Sequence, residues 1–176
     1  MDFITVMHSY FRGEKLEAAF FIAPMGLMFL GLAYGAWRSE QGAFMWGAII
    51  PAAIFGLVFL GTGIGVAGRT AGQVAGLEAA LSQDTIAMLQ AEIPRMQQVM
   101  LNFSRMLPTM GGLALLGLAL RFGVRTEWAM SLGAVLVAAG GVGLLIDGFA
   151  ERRGHPYVAA LQALAAEHGV EVASKD

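Results

Sequence analysis

The chain contains no cysteine, so disulfides and thiolate metal sites are excluded. Charge is scarce as well. Asp, Glu, Lys and Arg make up 14% of the 176 residues, against 57% hydrophobic residues and a mean hydropathy of +0.65. So few polar groups cannot coat a water-soluble domain of this size, and part of the surface must face lipid. Neither sign of charge dominates. The net charge of −2 argues against nucleic acid as a partner. The three histidines, His8, His155 and His168, are far apart and fall outside the apolar runs, which disfavours both a metal cluster and a haem held within the membrane. No nucleophile elbow, H-E-x-x-H or P-loop is present. These absences point away from an enzyme and predict no cofactor.

What the sequence does have is long apolar runs. Four stand out, at 18–37, 44–67, 106–120 (extending towards Val124) and 128–146. A bilayer core of roughly 30 Å needs about 20 apolar residues in a helix. Three runs meet that length, and the third leans on the amphipathic segment before it. The predicted class is therefore all-α: a polytopic membrane protein with four transmembrane helices in two hairpins and a small cytoplasmic helical layer. Its predicted divisions are an amphipathic N-terminal segment (1–17), a first hairpin (18–67), a helical connection (68–105), a second hairpin (106–149) and a C-terminal helix and tail (150–176). The acidic and basic residues before Ala18, and the length of the run after it, predict an uncleaved anchor rather than a signal peptide.

Orientation follows from the basic residues. Arg12, Lys15, Arg69, Arg95, Arg105, Arg152, Arg153 and Lys175 fall on one side of this arrangement, and Arg38, Arg121 and Arg125 on the other. That asymmetry puts both termini in the cytoplasm, as expected for a bacterial inner-membrane protein. Trp37, Trp46 and Trp128 fall at the opposite ends of their runs, where indoles favour the headgroup layer.

The segment 84–107 is the one long stretch that is neither lipid-like nor a turn. Ile86, Leu89, Ile93, Met96, Met100 and Phe103 recur in steps of three and four, forming one apolar stripe. Asp84 is placed to cap this helix, and Pro94 predicts a kink or two abutting helices. The stripe is buried on the protein itself or in the headgroup layer, the alternative being an intermolecular coiled coil with a partner. Met96/Met100 and Met106/Met110 are read as gap-filling core rather than copper ligands.

Two further features carry functional weight. The first is glycine. Gly31/Gly35, Gly61/Gly65 and Gly68/Gly72 have the four-residue spacing that lets helices approach closely. Gly63, Gly65 and Gly68 also match G-x-G-x-x-G, but they end an apolar helix instead of linking a strand to a helix, so a dinucleotide site is rejected. The second is Asp147, the one acidic residue abutting an apolar run, with Glu151 four residues on. A carboxylate there is either part of an ion path or an anchor at headgroup depth, paired with Arg69, Arg105 or Arg12, while Arg152 and Arg153 meet lipid phosphates. The leading expectation is a non-enzymatic membrane scaffold or accessory subunit that binds lipids and either a protein partner or further copies of itself. Immunity against a membrane-acting toxin is a special case of that role. A small oligomeric transporter or channel using Asp147 is the alternative. Gly13 is expected to end the first helix, a separate short helix is expected over 73–81, and the last residues are expected to fray.

Overall fold

The computed structural model describes residues 2–39 and 42–170, and those residues contain helix and short connections with no strand. The tip of the loop at 40–41 and the tail beyond Val170, including Lys175, lie outside them. The elements are α1 (Phe3–Glu17), a π-helical turn (Ala18–Ile22), α2 (Ala23–Arg38), α3 (Ala43–Gln83), α4 (Thr85–Gly123) and α5 (Glu127–Glu167). Four helical segments are long and apolar enough to cross a membrane: Phe3–Arg38, Ala43–Gln83, Thr85–Gly123 and Glu127–Glu167.

Each of these segments runs on well past its apolar stretch. Gly13 does not end α1, which passes through the π turn directly into α2. No separate helix forms over 73–81, because α3 continues unbroken through the glycine run to Gln83. Nor does Pro94 divide the central segment, since α4 carries both Pro94 and Pro108 internally. A proline removes one backbone hydrogen bond, and a helix held by packing on both sides of it survives that loss. The π turn has its own local cause. Pro24 has no N–H to offer the Phe20 carbonyl four residues back, and the wider turn falls at that place. At the junction of α3 and α4, the Asp84 side chain accepts the Ala87 N–H at 3.0 Å, which is the predicted cap.

The helices lie side by side in the order α2, α3, α5, α4. α2 packs on α3, α3 on α5, and α5 on α4, whereas α4 meets α3 only slightly. Two cores result. One, among the apolar spans, joins Phe29 and Ala33 of α2, Ala48 and Ala52 of α3, and Val135 and Ala139 of α5. Its small residues let the backbones come close. The other lies at the opposite end from the tryptophans. There Phe3, Met7, Tyr10 and Phe11 of α1 meet Met88, Leu89, Ile93 and Met96 of α4, and Tyr157, Leu161 and Ala165 of α5. This second core is built where the helices run past their apolar stretches, and it supports their length. Large apolar side chains cover the outside of the spans. Phe20, Leu57, Ile64, Leu115 and Phe122 are each more than 60% exposed, as a lipid-facing surface requires.

The glycines that bring the backbones together are not the predicted ones. A Cβ added at any of Gly31, Gly35, Gly61, Gly65, Gly68 or Gly72 would have nothing within 4 Å. Close approach occurs instead at Gly26, Gly56 and Gly63 between α2 and α3, at Gly117, Gly133 and Gly140 between α4 and α5, and at Gly47 against Trp128 and Ser131 of α5. At Gly63 the added atom would sit 2.6 Å from the Ala23 nitrogen, and at Gly133 2.5 Å from the Gly117 carbonyl oxygen. Gly56/Gly63 and Gly133/Gly140 repeat every seven residues, two full turns, which keeps one face on a neighbour that crosses at a shallow angle.

Candidate functional site

Two polar assemblies sit where the rods leave the apolar core. The deeper one is centred on Glu92, a carboxylate only 4% exposed that lies within the apolar stripe of α4. Arg95, one turn on, donates to it twice, Nε to Oε2 at 2.6 Å and Nη2 to Oε1 at 2.5 Å. The Tyr157 hydroxyl of α5 donates to Oε1 at 2.9 Å. Tyr157 is completely buried, stacked on Tyr10 at 4.8 Å between ring centroids and flanked by Phe3 and Phe11. One carboxylate thus ties α4 to α5 beneath the aromatic residues of α1. Hydrogen bonding to Glu92 holds the Arg95 guanidinium in its charged form and raises its pKa. Burial, and then the adjacent Glu92 carboxylate, raise the Tyr157 phenol well above its ordinary value.

Burial also pushes Tyr10 up to about 12. Its folded value therefore lies above its unfolded value near 10, so its contribution to stability is complete below about pH 10 and is lost as pH rises through 12. Unfolding in detergent should accordingly become easier from about pH 10 upwards. A 295 nm titration should show a phenolate step near pH 12 that Tyr10→Phe removes, leaving the still later one of Tyr157. A Tyr10→Phe variant that keeps the step near pH 12 and loses amplitude near pH 10 instead would contradict this.

The second assembly joins α1 to α5 and α3. Arg153 of α5 is paired with Glu17 of α1, and its aliphatic stem passes over Gly13, where an added Cβ would meet Arg153 Cδ at 2.6 Å. Gly13 is therefore a space-maker for an arginine and not a helix terminator. Arg69 of α3 reaches Glu14 at 3.5 Å. Glu14 Oε2, Glu17 Oε1, Arg153 Nε and Gln73 Oε1 are buried without a hydrogen-bond partner in the protein. Asp147 is half-buried and lies within electrostatic reach of Glu17.

Among the expected pairings, Asp147 with Arg69, Arg105 or Arg12 is not formed. Arg69 goes to Glu14, and Arg105 and Arg152 are exposed. Glu151 is partly buried. In this second assembly the carboxylates that take arginines are Glu14 and Glu17, which in sequence look like a hydrophilic lead-in. Their one signal is spacing, because positions 10, 14 and 17 share a helical face with the buried Tyr10. Glu92 was hidden for a different reason. It interrupts a stripe otherwise recognised by its apolar members, and its partner Tyr157 is 65 residues away.

The apolar stripe itself is divided. Leu89, Ile93 and Met96 are buried in the chain's own core, Met100 packs over Gly154 and is half-buried with Phe103, and Ile86 is 46% exposed. Most of the stripe is therefore occupied internally. Among the described residues no three His, Asp or Glu side chains converge as a metal would require. His8 pairs with Glu78 at 2.8 Å, and His168 Nδ1 lies 2.9 Å from the Leu164 carbonyl.

No protein-family model, curated protein or solved structure matches the chain.

Proposed function

We propose that the chain is an integral membrane scaffold or accessory subunit of a bacterial cytoplasmic membrane. Its two transmembrane hairpins would place both termini and the helical layer on the cytoplasmic side. The observation that carries this proposal is the stripe Gly61, Gly65, Gly68 and Gly72 on α3. These glycines recur in steps of four, three and four along one exposed helix face, and none has a neighbour within 4 Å. The chain's own helix contacts use a different set, so a face suited to close approach is left for a second polypeptide. Gly31 and Gly35 on α2 are free in the same way. The excess of basic residues at the end holding Glu92 and the tryptophans at the other end support the orientation.

The test is to place a photo-crosslinking residue at Ile64 in native membranes, with and without Gly65→Leu and Gly72→Leu. The expected result is a discrete crosslinked species in the parent, either a dimer of this chain or a defined membrane subunit. It should be lost in the glycine variants while their melting temperature is not lowered. Crosslinks that persist in the variants, or a parent that crosslinks only to lipid, would overturn the proposal.

A transporter or channel is favoured by one separate feature, the half-buried Asp147 facing Glu17 where the spans end. Ion or proton flux in proteoliposomes that is lost in Asp147→Asn, with the fold intact, would make that the better description.

A further inference from the structure

Between α1 and α3 lies an open groove with a volume of about 340 Å³. Its floor is apolar, formed by Phe11 of α1 and Ala71, Val74 and Ala75 of α3. Thr70 closes one end, its hydroxyl already donating to the Val66 carbonyl at 2.6 Å. His8, Arg12 and Lys15 line the α1 wall at positions four and three apart, and therefore on one helix face. The α3 wall contributes one carboxylate, Glu78, which is engaged by His8. Arg12 and Lys15 are exposed and, among the described residues, form no ion pair. The groove thus joins two uncommitted long cations to an apolar floor. Its depth is set by the chain. Lys15 precedes the apolar run of the first span by three residues, and Thr70 follows that of the second by three. At about 1.5 Å per residue this end of the groove lies about 5 Å outside the hydrocarbon boundary, and Arg12, Val74 and Ala75 lie about 9–12 Å outside it, at headgroup depth.

We propose that this groove seats one anionic glycerophospholipid. Its phosphodiester lies between Arg12 and Lys15, level with Val74 and Ala75, and the first methylenes of an acyl chain pass over Ala71 and Thr70 on the way to the hydrocarbon. Charge complementarity selects the anionic headgroup, since a zwitterionic one brings an ammonium to a wall that already carries two cations. The small side chains of α3 select a lipid over a soluble phosphate, because they give the tail a surface that phosphate alone would not cover. This differs from diffuse attraction of basic residues to the membrane, which needs no groove and shows no dependence on the α3 wall.

The test uses the full chain in nanodiscs of phosphatidylcholine containing a minority of phosphatidylglycerol. Co-purifying lipid is quantified after extraction into mild detergent, alongside circular dichroism to confirm helix content. The parent should retain phosphatidylglycerol well above its share of the bilayer. Removing each cation should cost about fivefold, the equivalent of roughly 1 kcal/mol per basic group, so Arg12→Gln with Lys15→Gln brings retention to parity. Ala71→Leu, which fills the floor without altering charge, should do the same. Arg152→Gln, an exposed arginine at similar depth outside the groove, should leave the preference intact. If Arg152→Gln lowers retention as much as the groove variants, or if Ala71→Leu leaves it unchanged, the lipid is held by general surface charge and the proposal fails. Competition by free glycerol phosphate at millimolar concentration would show a headgroup site without a tail, and would also overturn it.

Discussion

Replacing Glu92 with alanine should destabilise the protein by about 3 kcal/mol, more than any other single change to its polar groups. The side chain is buried and holds three hydrogen bonds, two from Arg95 and one from Tyr157. Its loss leaves the Tyr157 hydroxyl buried with no acceptor, at a cost of about 1–3 kcal/mol, and strands a guanidinium that is only a third exposed. Glu92→Gln keeps one acceptor oxygen for Tyr157 and Arg95 Nη2 but puts an NH2, which cannot accept, against Arg95 Nε, so about 1–2 kcal/mol is expected. Tyr157→Phe leaves Glu92 still bound by Arg95 and should cost about 1 kcal/mol. Reversible unfolding in mixed micelles would measure the series. The order Ala, Gln, Phe is the diagnostic result, and an alanine variant within 0.5 kcal/mol of the parent would show that Glu92 is solvated rather than locked in the core.

Gly63→Ala and Gly65→Ala should have effects of opposite sign, although the two residues are two positions apart on one helix. At Gly63 the new methyl would lie 2.6 Å from the backbone nitrogen of Ala23 and 2.8 Å from its Cα and Cβ. Backbone atoms cannot rotate away, so α2 and α3 must separate, at about 1–3 kcal/mol. At Gly65 nothing lies within 4 Å, and alanine should stabilise the helix by about 0.5–1 kcal/mol. The same contrast should hold for Gly133 against Gly141, the first backbone-to-backbone with Gly117 and the second in open space. Equal effects of Gly63→Ala and Gly65→Ala would mean that α2 and α3 do not cross as described. Loss of crosslinking from Gly65→Leu, together with retained stability, would separate contacts between chains from contacts within one.

Helix class and the number of segments long and apolar enough to span a membrane were legible in the sequence because hydrophobicity over twenty residues is a local property. So was the Asp84 cap, which concerns a donor three residues away. The helix boundaries were not. Gly13, Pro94 and the glycines of α3 are usual stop signals, and each is overridden by packing: Gly13 by the passage of Arg153, Pro94 by the core formed from Leu89, Ile93 and Met96, the glycines by contacts on both sides of the run. Which glycines pack was equally hidden, because a four-residue spacing is visible in one strand of text, while the choice of face depends on the neighbouring helix. The polar sites divide in the same way. Asp147 stood out against its apolar surroundings, but Glu14, Glu17 and Glu92 acquire their meaning from Arg69, Arg153 and Tyr157 on other helices.

Because α3 continues past its apolar run to Gln83 without a break, it acts mechanically as a lever. The portion beyond Ala67 is about 24 Å long at the usual helical rise. A change of about 10° in tilt, of the kind a span makes to match a thinner or thicker bilayer, swings the far tip through roughly 4 Å. Were α3 to span a bilayer, that swing would be carried through Val74, Leu77, Ala80 and Leu81 into the core they pack against, and would couple bilayer thickness to the Asp84 corner.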